Sequence, residues 1–270
     1  VGGFDIMGPP VVTVLIANHN NGEYLSGCID SALKQDYHGP IIVAIVDNGS
    51  TDNSWDIVSE KCLKGNSKTT KEEDGLLVVE ASTATNFSFL AIKTEQALGP
   101  SEARNIAIKR TMDRSFSYVT LDADDEMYPE KISRMLSVFK ADPDRIGAVY
   151  GDYDTLDTNS GKIIREYKEP FSRQRLLEEC IVHSGSMVSA QAFMTVEEET
   201  GYYDRTMRVC EDYDLWARIS ENFLIMHIPE ALTLVRITGE NSSSVIKEDI
   251  WQQNWRRVAE KIQQRQHAQI

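Results

Sequence analysis

Cysteine is scarce in this chain: four in 270 residues. Cys28, Cys62, Cys180 and Cys210 lie too far apart for the paired spacing of a zinc site or for a compact disulfide framework. They read as reduced thiols in a cytoplasmic protein. No run of about 18 apolar residues is present, which leaves no segment suited to cross a bilayer as a helix. The start, Val1-Gly2-Gly3-Phe4-Asp5, lacks the basic-then-apolar order of a secretory leader, and residues 1–10 read as a leader or the remnant of a longer sequence. Basic side chains are also few: 28 against 42 acidic ones, a formal net charge of -14. Such a surface repels nucleic acid, so no nucleic-acid partner is expected, and an anionic ligand would need a cation and a few well-placed basic groups. The sequence has no Gly-rich loop ending in Gly-Lys-Ser/Thr and no Gly-X-Gly-X-X-Gly after a strand. Mononucleotide-kinase and dinucleotide-oxidoreductase readings therefore lose their main support.

What is present is an α/β pattern long enough for one large domain with a small C-terminal extension. Strands are expected over Val11–Ala17 and Ile41–Val46, then Leu76–Glu80 and Phe89–Ile92. Helices are expected over Tyr24–Lys34, Ser54–Leu63 and Ser101–Met112. The first strands are uniformly apolar, as in a parallel, doubly wound sheet covered on both faces. Lys64–Gly75 is polar and charged and reads as a surface loop. After a helix over Pro129–Lys140 come extended pieces at Ile146–Tyr153 and Lys162–Tyr167 around the turn Asp157–Gly161. A short helix over Asp212–Asn222, strands at Leu224–Ile228 and Ala231–Ile237, and a terminal helix over Ile246–Gln266 complete the pattern. Ile250, Trp251, Trp255, Val258 and Ile262 form one stripe on that last helix, fit to pack on the domain or on a second copy; peripheral membrane association is the rival role.

Chemistry concentrates in Asp122-Ala123-Asp124-Asp125, three carboxylates in four residues. They follow the apolar run Phe116–Leu121, a buried strand, and so stand at the strand edge where ligands bind in open α/β sheets. Carboxylates this close repel one another, and a hard cation such as Mg²⁺ or Mn²⁺ relieves them; the plain alternative is an acidic helix N-terminus. Ala17-Asn18-His19-Asn20 and Asp47-Asn48-Gly49-Ser50-Thr51-Asp52 leave the first two strands at the same edge. The His19 ring could stack on a nucleobase and Asp47 could accept the imino N–H of uracil, while Ser50, Thr51 or Asp52 caps the next helix. Arg104, in the first turns of a helix after Gly99-Pro100, could neutralise a diphosphate or clamp an acidic residue. Glu211-Asp212-Tyr213-Asp214 repeats the acidic theme at a helix start, where one carboxylate could act as a general base. Leu215 and Trp216 beside it read more simply as core.

Taken in order, Thr13-Val-Leu-Ile-Ala-Asn-His-Asn, Val46-Asp-Asn-Gly-Ser-Thr-Asp, Gly99-Pro-Ser-Glu-Ala-Arg-Asn, Leu121-Asp-Ala-Asp-Asp and Glu211-Asp-Tyr-Asp-Leu-Trp resemble the markers of family 2 glycosyltransferases of the GT-A fold, over about residues 11–244. The resemblance implies a GT-A nucleotide-binding mixed sheet flanked by helices. Residues 11–125 would form the nucleotide-sugar half, 126–244 the acceptor half, and 245–270 an amphipathic C-terminal helix. It implies that Ala17, His19, Asp47, Arg104, Asp122 and Ala123 line a nucleotide site, Asp47 reading the base, and that Asp124 holds Mn²⁺ or Mg²⁺ against the diphosphate. Asp212, with Glu211 beside it, would be the acceptor-side base of an inverting enzyme, and His183, Ser184 and Trp216 would shape the acceptor side. The donor would be a nucleotide-diphosphate sugar, UDP-linked by expectation, and the acceptor a glycan, a lipid-linked sugar or another hydroxyl.

Two departures from the family pattern stand out. His19 takes the place of a usual tyrosine. Arg236-Ile-Thr238-Gly-Glu-Asn resembles a segment that commonly reads Arg-X-His, whose histidine is a further metal ligand, and Thr238 is a poor replacement. The cation would then rest mainly on Asp124 and the diphosphate. A retaining transferase, a nucleotidyltransferase using the same carboxylates, and a non-catalytic sugar-nucleotide or glycan-binding module remain open alternatives at this point.

Overall fold

A computed structural model describes residues 8–64, 67–239, 241 and 245–268. Most of the expected N-terminal leader, and Glu240 and Ser242–Ser244 at the far end of the family-like stretch, lie outside the described residues.

The chain begins with β1 (Val12–Asn18), α1 (Gly22–Leu33), β2 (Ile41–Asn48) and α2 (Ser54–Val58), the last running into a π turn over Ser59–Leu63. β3 (Ser67–Glu73), β4 (Leu76–Ser82) and β5 (Phe87–Thr94) precede α3 (Pro100–Thr111), β6 (Ser117–Thr120), β7 (Glu126–Met127) and α4 (Lys131–Phe139). Then come β8 (Ile146–Asp157), β9 (Ile163–Glu166), α5 (Arg173–Glu178), β10 (Met187–Ser189) and α6 (Ala190–Val196). α7 (Glu211–Asn222), β11 (Leu224–Ile237) and α8 (Glu248–Ala268) close the chain. The strands form one sheet in the order β3-β4-β5-β2-β1-β6-β10-β8-β11-β7, with β9 paired to β8. β5, β2, β1 and β6 run parallel, as expected, and the antiparallel β4 and β10 on either side make the sheet mixed.

The central strands are apolar throughout because both faces are covered. Side chains alternate across β2: Ile41, Val43 and Ile45 join a core with Leu25 and Ile29 of α1 and Ile132 and Phe139 of α4. Ile42, Ala44 and Val46 join the opposite core with Ala103 and Ala107 of α3, Phe193 of α6 and Trp216 of α7. α8 sets Val258 and Ile262 into the second core, with Ile250 and Trp251 against its edge, while Trp255 stays half exposed. Its polar side is latched to the domain: Lys261 Nζ meets Asp204, Asp214 and Glu198 at 3.0, 2.9 and 3.1 Å. No helix among the described residues is long and apolar enough to cross a membrane.

Two expectations change. Lys64–Gly75 is not a loop: Ser67–Glu73 is an edge strand, exposed along its whole length, paired antiparallel to β4. Its polar side chains fit a solvent-facing ribbon, tied to α3 at its end by Glu73 and Arg110 at 3.0 Å. The hairpin closes at Asp74-Gly75, both at positive φ (52° and 74°), the twist-matched two-residue turn that Asp-Gly favours. The two strands expected at Leu224–Ile228 and Ala231–Ile237 are one, β11, whose register with β8 shifts around Pro229, a residue with no N–H for the ladder. β10 and the short α5 and α6 had no clear periodicity in sequence.

Candidate active site

The acidic turn hangs from the carboxyl end of β6, beside the ends of β1 and β2. Leu121 N–H donates to Leu15 O, and a tight turn closes with Asp125 N–H on Asp122 O, each at 3.0 Å. Ala123 tucks into the core at 2% exposure, and Asp122 and Asp124 on either side of it remain partly exposed. Alternation through this turn thus separates one anchoring side chain from two presented carboxylates. Ala123 can meet a ligand only through its backbone.

Asp125 is buried with an oxygen on the Arg236 N–H at 2.9 Å. Burial, then the charges of Asp122 and Asp124, hold its carboxyl well above the usual range. Burial and Asp122 likewise push Asp124 up to about 6. Beneath the turn, the fully buried Lys131 donates to Thr233 Oγ1 at 2.8 Å; burial pulls its amine down to about 8 against the opposing pull of Asp125 and Asp122. Negative charge is therefore in excess here, which is the condition that draws a cation.

Arg104 joins this turn to α7. Its Nη2 donates to Asp122 Oδ1 and its Nη1 to Glu211 Oε1, each at 2.8 Å, and its guanidinium lies 5.3 Å over the Tyr203 ring. With 7% exposure the guanidinium stays charged because two carboxylates outweigh its desolvation. Asp212 follows Glu211 in the first turn of α7 and accepts the Tyr213 N–H at 2.7 Å. The N-terminal position by itself favours the ionised carboxylate. Burial, reinforced by Glu211, instead pushes it up to about 7, where a carboxylate is a stronger base.

At the other end of the edge, Asp47 is fully buried. One carboxylate oxygen accepts from Asn18 Nδ2 at 3.0 Å and the other meets no donor among the described residues. Asn18 Nδ2 also reaches Ser50 Oγ at 3.1 Å. His19 is exposed, its Nδ1 2.8 Å from Asn48 O, an acceptor that fixes the proton on that nitrogen. The loop turns at Gly49, φ 67°, where a Cβ would stand 2.5 Å from Ala97 N. Capping of α2 falls to Asp52, which accepts from Ser54 N–H and Gly22 N–H at 3.0 and 2.8 Å. Ala17, half-buried, packs against the core at the end of β1.

On the expected acceptor side, His183 stacks on Tyr153 at 4.4 Å and accepts the Gly185 N–H at 3.0 Å. Burial, then Lys131 and Lys168, hold its pKa well below the ordinary value, so the ring is neutral. Ser184 sits half-buried in the same loop. Trp216 does not join them: it is fully buried in the core, because α7 turns that face onto the sheet. Sequence reasoning also missed Lys131, an unremarkable lysine at the start of a helix, and Asn241. Thr238 spends its N–H and hydroxyl on Asn241 Oδ1, at 2.8 and 3.2 Å, and Asn241 Nδ2 donates to Asp124 Oδ2 at 2.9 Å.

A model of glycosyl transferase family 2 matches residues 13–197. The chain belongs to that family. It is 26% identical over 246 residues to a chondroitin synthase of Escherichia coli, covering 91% of this chain and 31% of that protein. It is 24% identical over 235 residues to a hyaluronan synthase of Pasteurella multocida, covering 87% and 21%. This family 2 chain thus spans only about a fifth to a third of those relatives. Among solved structures, S. aureus TarS 1-349 in complex with UDP-GlcNAc superposes with a TM-score of 0.65 at 15% identity, over 90% of this chain and 64% of that one. The fold is that of the GT-A enzymes.

Among the described residues no group of three or more His, Cys, Asp or Glu side chains forms a ready cation cage. Asp124 and Asp122 nonetheless suit Mg²⁺ or Mn²⁺ shared with a ligand, since such ions are commonly held by one or two carboxylates plus phosphate oxygens. Asp124 makes no ion pair with a basic side chain among the described residues, and its raised pKa marks charge still to be offset.

Proposed function

We propose that this chain is the catalytic domain of a cation-assisted, inverting glycosyltransferase that uses a UDP-linked sugar. Residues 11–125 would hold the donor, 126–244 would shape the acceptor side and 245–270 would brace α7. What carries the reading is the Arg104 bridge: one buried guanidinium ties Asp122, at the donor edge, to Glu211, the neighbour of Asp212. A leaving-group site and a base are thereby held on one rigid frame, as an in-line displacement requires.

Asp47 offers its unpaired oxygen to the imino N–H of uracil, and the exposed His19 ring offers a face for the base, with Ala17 beside them. Asp124, with Asp122 near it, would hold a divalent cation, which when bound offsets charge on the diphosphate. Arg104 adds a fixed positive charge on the same side. Asp212 takes the proton from the acceptor hydroxyl; the oxygen forms a bond to the anomeric carbon from the face opposite the diphosphate; the bond from that carbon to the diphosphate oxygen breaks. UDP leaves with the electron pair. A pKa of about 7 suits Asp212 to this step, because proton acceptance is most effective when the base titrates near the working pH. His183 and Ser184 would flank the incoming hydroxyl. The names of the polysaccharide-synthase relatives favour a glycan acceptor.

The test is transfer from UDP-GlcNAc and other UDP-sugars to hydroxyl-bearing oligosaccharides in the presence of Mn²⁺, with the product read by proton NMR. Acceptor-dependent UDP release and a β-linkage made from an α-linked donor are expected. An α-linked product would refute inversion, and UDP-sugar binding without any transfer would make the chain a binding module.

A further inference from the structure

We propose that Asn241 is the positioning residue that fixes the Asp124 carboxylate for a diphosphate-bound cation, an inference that rests on the donor-site reading above. Asn241 lies beyond residues 13–197, the stretch matched to the family; it ends the Arg236-Ile-Thr238-Gly-Glu-Asn segment, in which the resemblance gives a metal-side role to position 238 and none to position 241.

The geometry leaves its amide one orientation. Oδ1 accepts the Thr238 backbone N–H at 2.8 Å and the Thr238 hydroxyl at 3.2 Å. A backbone N–H can only donate, so this end of the amide is the oxygen and the other end is the NH₂. That NH₂ has two protons and two acceptors: Asp124 Oδ2 and Arg236 O, both at 2.9 Å. Every hydrogen-bonding position of the amide is thus assigned by its neighbours. The turn that brings Asn241 back over the end of β11 passes through Gly239 at φ 81°, a conformation that favours glycine.

The result is a strap from β11 to the acidic turn. Arg236 Nη1 holds the Asp124 backbone carbonyl at 2.7 Å, its N–H holds Asp125, and its Nη2 pairs with Glu126. Of the three consecutive acidic residues Asp124, Asp125 and Glu126, Asn241 takes the one whose carboxylate oxygens receive no hydrogen bond from the arginine. A neutral donor is suited to this place. A lysine or arginine there would neutralise Asp124 and compete with a cation; an amide restrains one oxygen and leaves the charge in place. Partners of this kind orient ligating carboxylates, and their loss costs about 10- to 100-fold in metal affinity.

The experiment is calorimetric titration of UDP, with Mn²⁺ and with chelator, into wild type, Asn241→Ala and Asn241→Asp. Asn241→Ala is expected to weaken Mn²⁺-dependent UDP binding about tenfold or more, and to leave metal-free UDP binding unchanged. Asn241→Asp keeps the shape and the Thr238 bonds but sets a second carboxylate against Asp124, so Mn²⁺ titrated alone should bind more tightly than to wild type. This variant serves if the alanine chain fails to fold. Wild-type Mn²⁺ dependence with Asn241→Ala within twofold of it, or unaltered Mn²⁺ affinity in Asn241→Asp, would overturn the assignment. Wild type that binds UDP equally with Mn²⁺ and with chelator would instead sink the donor-site reading beneath it.

Discussion

Asp212→Asn should make the protein more stable while removing its activity. A carboxyl whose pKa is moved from 3.8 to about 7 by burial and by Glu211 is held in a site that disfavours its charge. Between those two values the native state keeps a proton that the unfolded chain has released, so stability falls as pH rises from about 4 to about 7 and then levels. Above pH 7 the full penalty is about 4 kcal/mol on the scale of 1.36 kcal/mol per pKa unit. Local relaxation and water entering the site lower that penalty, and the variant is expected to gain about 2 kcal/mol. Asparagine retains the size and the acceptor for Tyr213 N–H without the charge. Urea unfolding of both proteins at pH 8 and pH 5 is the assay: the variant should be the more stable at pH 8, with the difference shrinking by more than half at pH 5. Its kcat should drop by roughly 10² to 10⁴ at unchanged donor affinity. A variant less stable than wild type at pH 8, or a gain that does not depend on pH, would show that the site does not disfavour the Asp212 charge.

Other outcomes follow from the same geometry. With Asp212 as the base, wild-type kcat/KM should rise with pH through about 7 and fall about tenfold per unit below it, and a profile flat from pH 5 to 8 would remove Asp212 from that role. Asp47→Ala, by taking away the acceptor for a pyrimidine N–H, should weaken UDP binding by about 1 to 3 kcal/mol and relax discrimination against ADP, both readable by calorimetry. Lys261→Met strips a cation from Asp204 and Asp214, 1% and 0% exposed. Arg218 still pairs with Asp214 at 2.9 Å, so the loss should be about 2 to 3 kcal/mol by urea unfolding, below the 3 to 5 typical of an abandoned buried pair.

The parallel half of the sheet was legible because its strands are buried on both faces and their apolar runs admit little else. The same burial made the carboxyl-edge loops easy to place, and with them Asp47, Arg104 and the acidic turn. β3 was hidden for the opposite reason: a strand exposed along its whole length needs no apolar side chains, and only Asp74-Gly75 signalled the hairpin. The electrostatics of the site were less readable still. A helix start argued for an ionised Asp212, but desolvation, which depends on how β6, α3 and α7 close around it, pushes the other way. Trp216 shows the limit from the packing side, since it follows the candidate residues Glu211 and Asp212 on the same helix and only the face of α7 decides that it belongs to the core. Lys131 stands close to the acidic turn in sequence, but its full burial beneath that turn is a matter of packing, and Asn241 reaches the turn only through the tertiary contact of its Nδ2 with Asp124 Oδ2.

The central claim is a uridine-diphosphate site that depends on a cation at Asp124. Its most direct test is calorimetric titration of UDP and ADP into wild type and Asp124→Ala, each with Mn²⁺ and with chelator. The account predicts that UDP binds wild type more tightly than ADP does, that chelator weakens it by at least tenfold, and that Asp124→Ala with Mn²⁺ behaves like wild type with chelator. Equal binding of UDP and ADP, or UDP binding indifferent to both chelator and the Asp124 substitution, would contradict it.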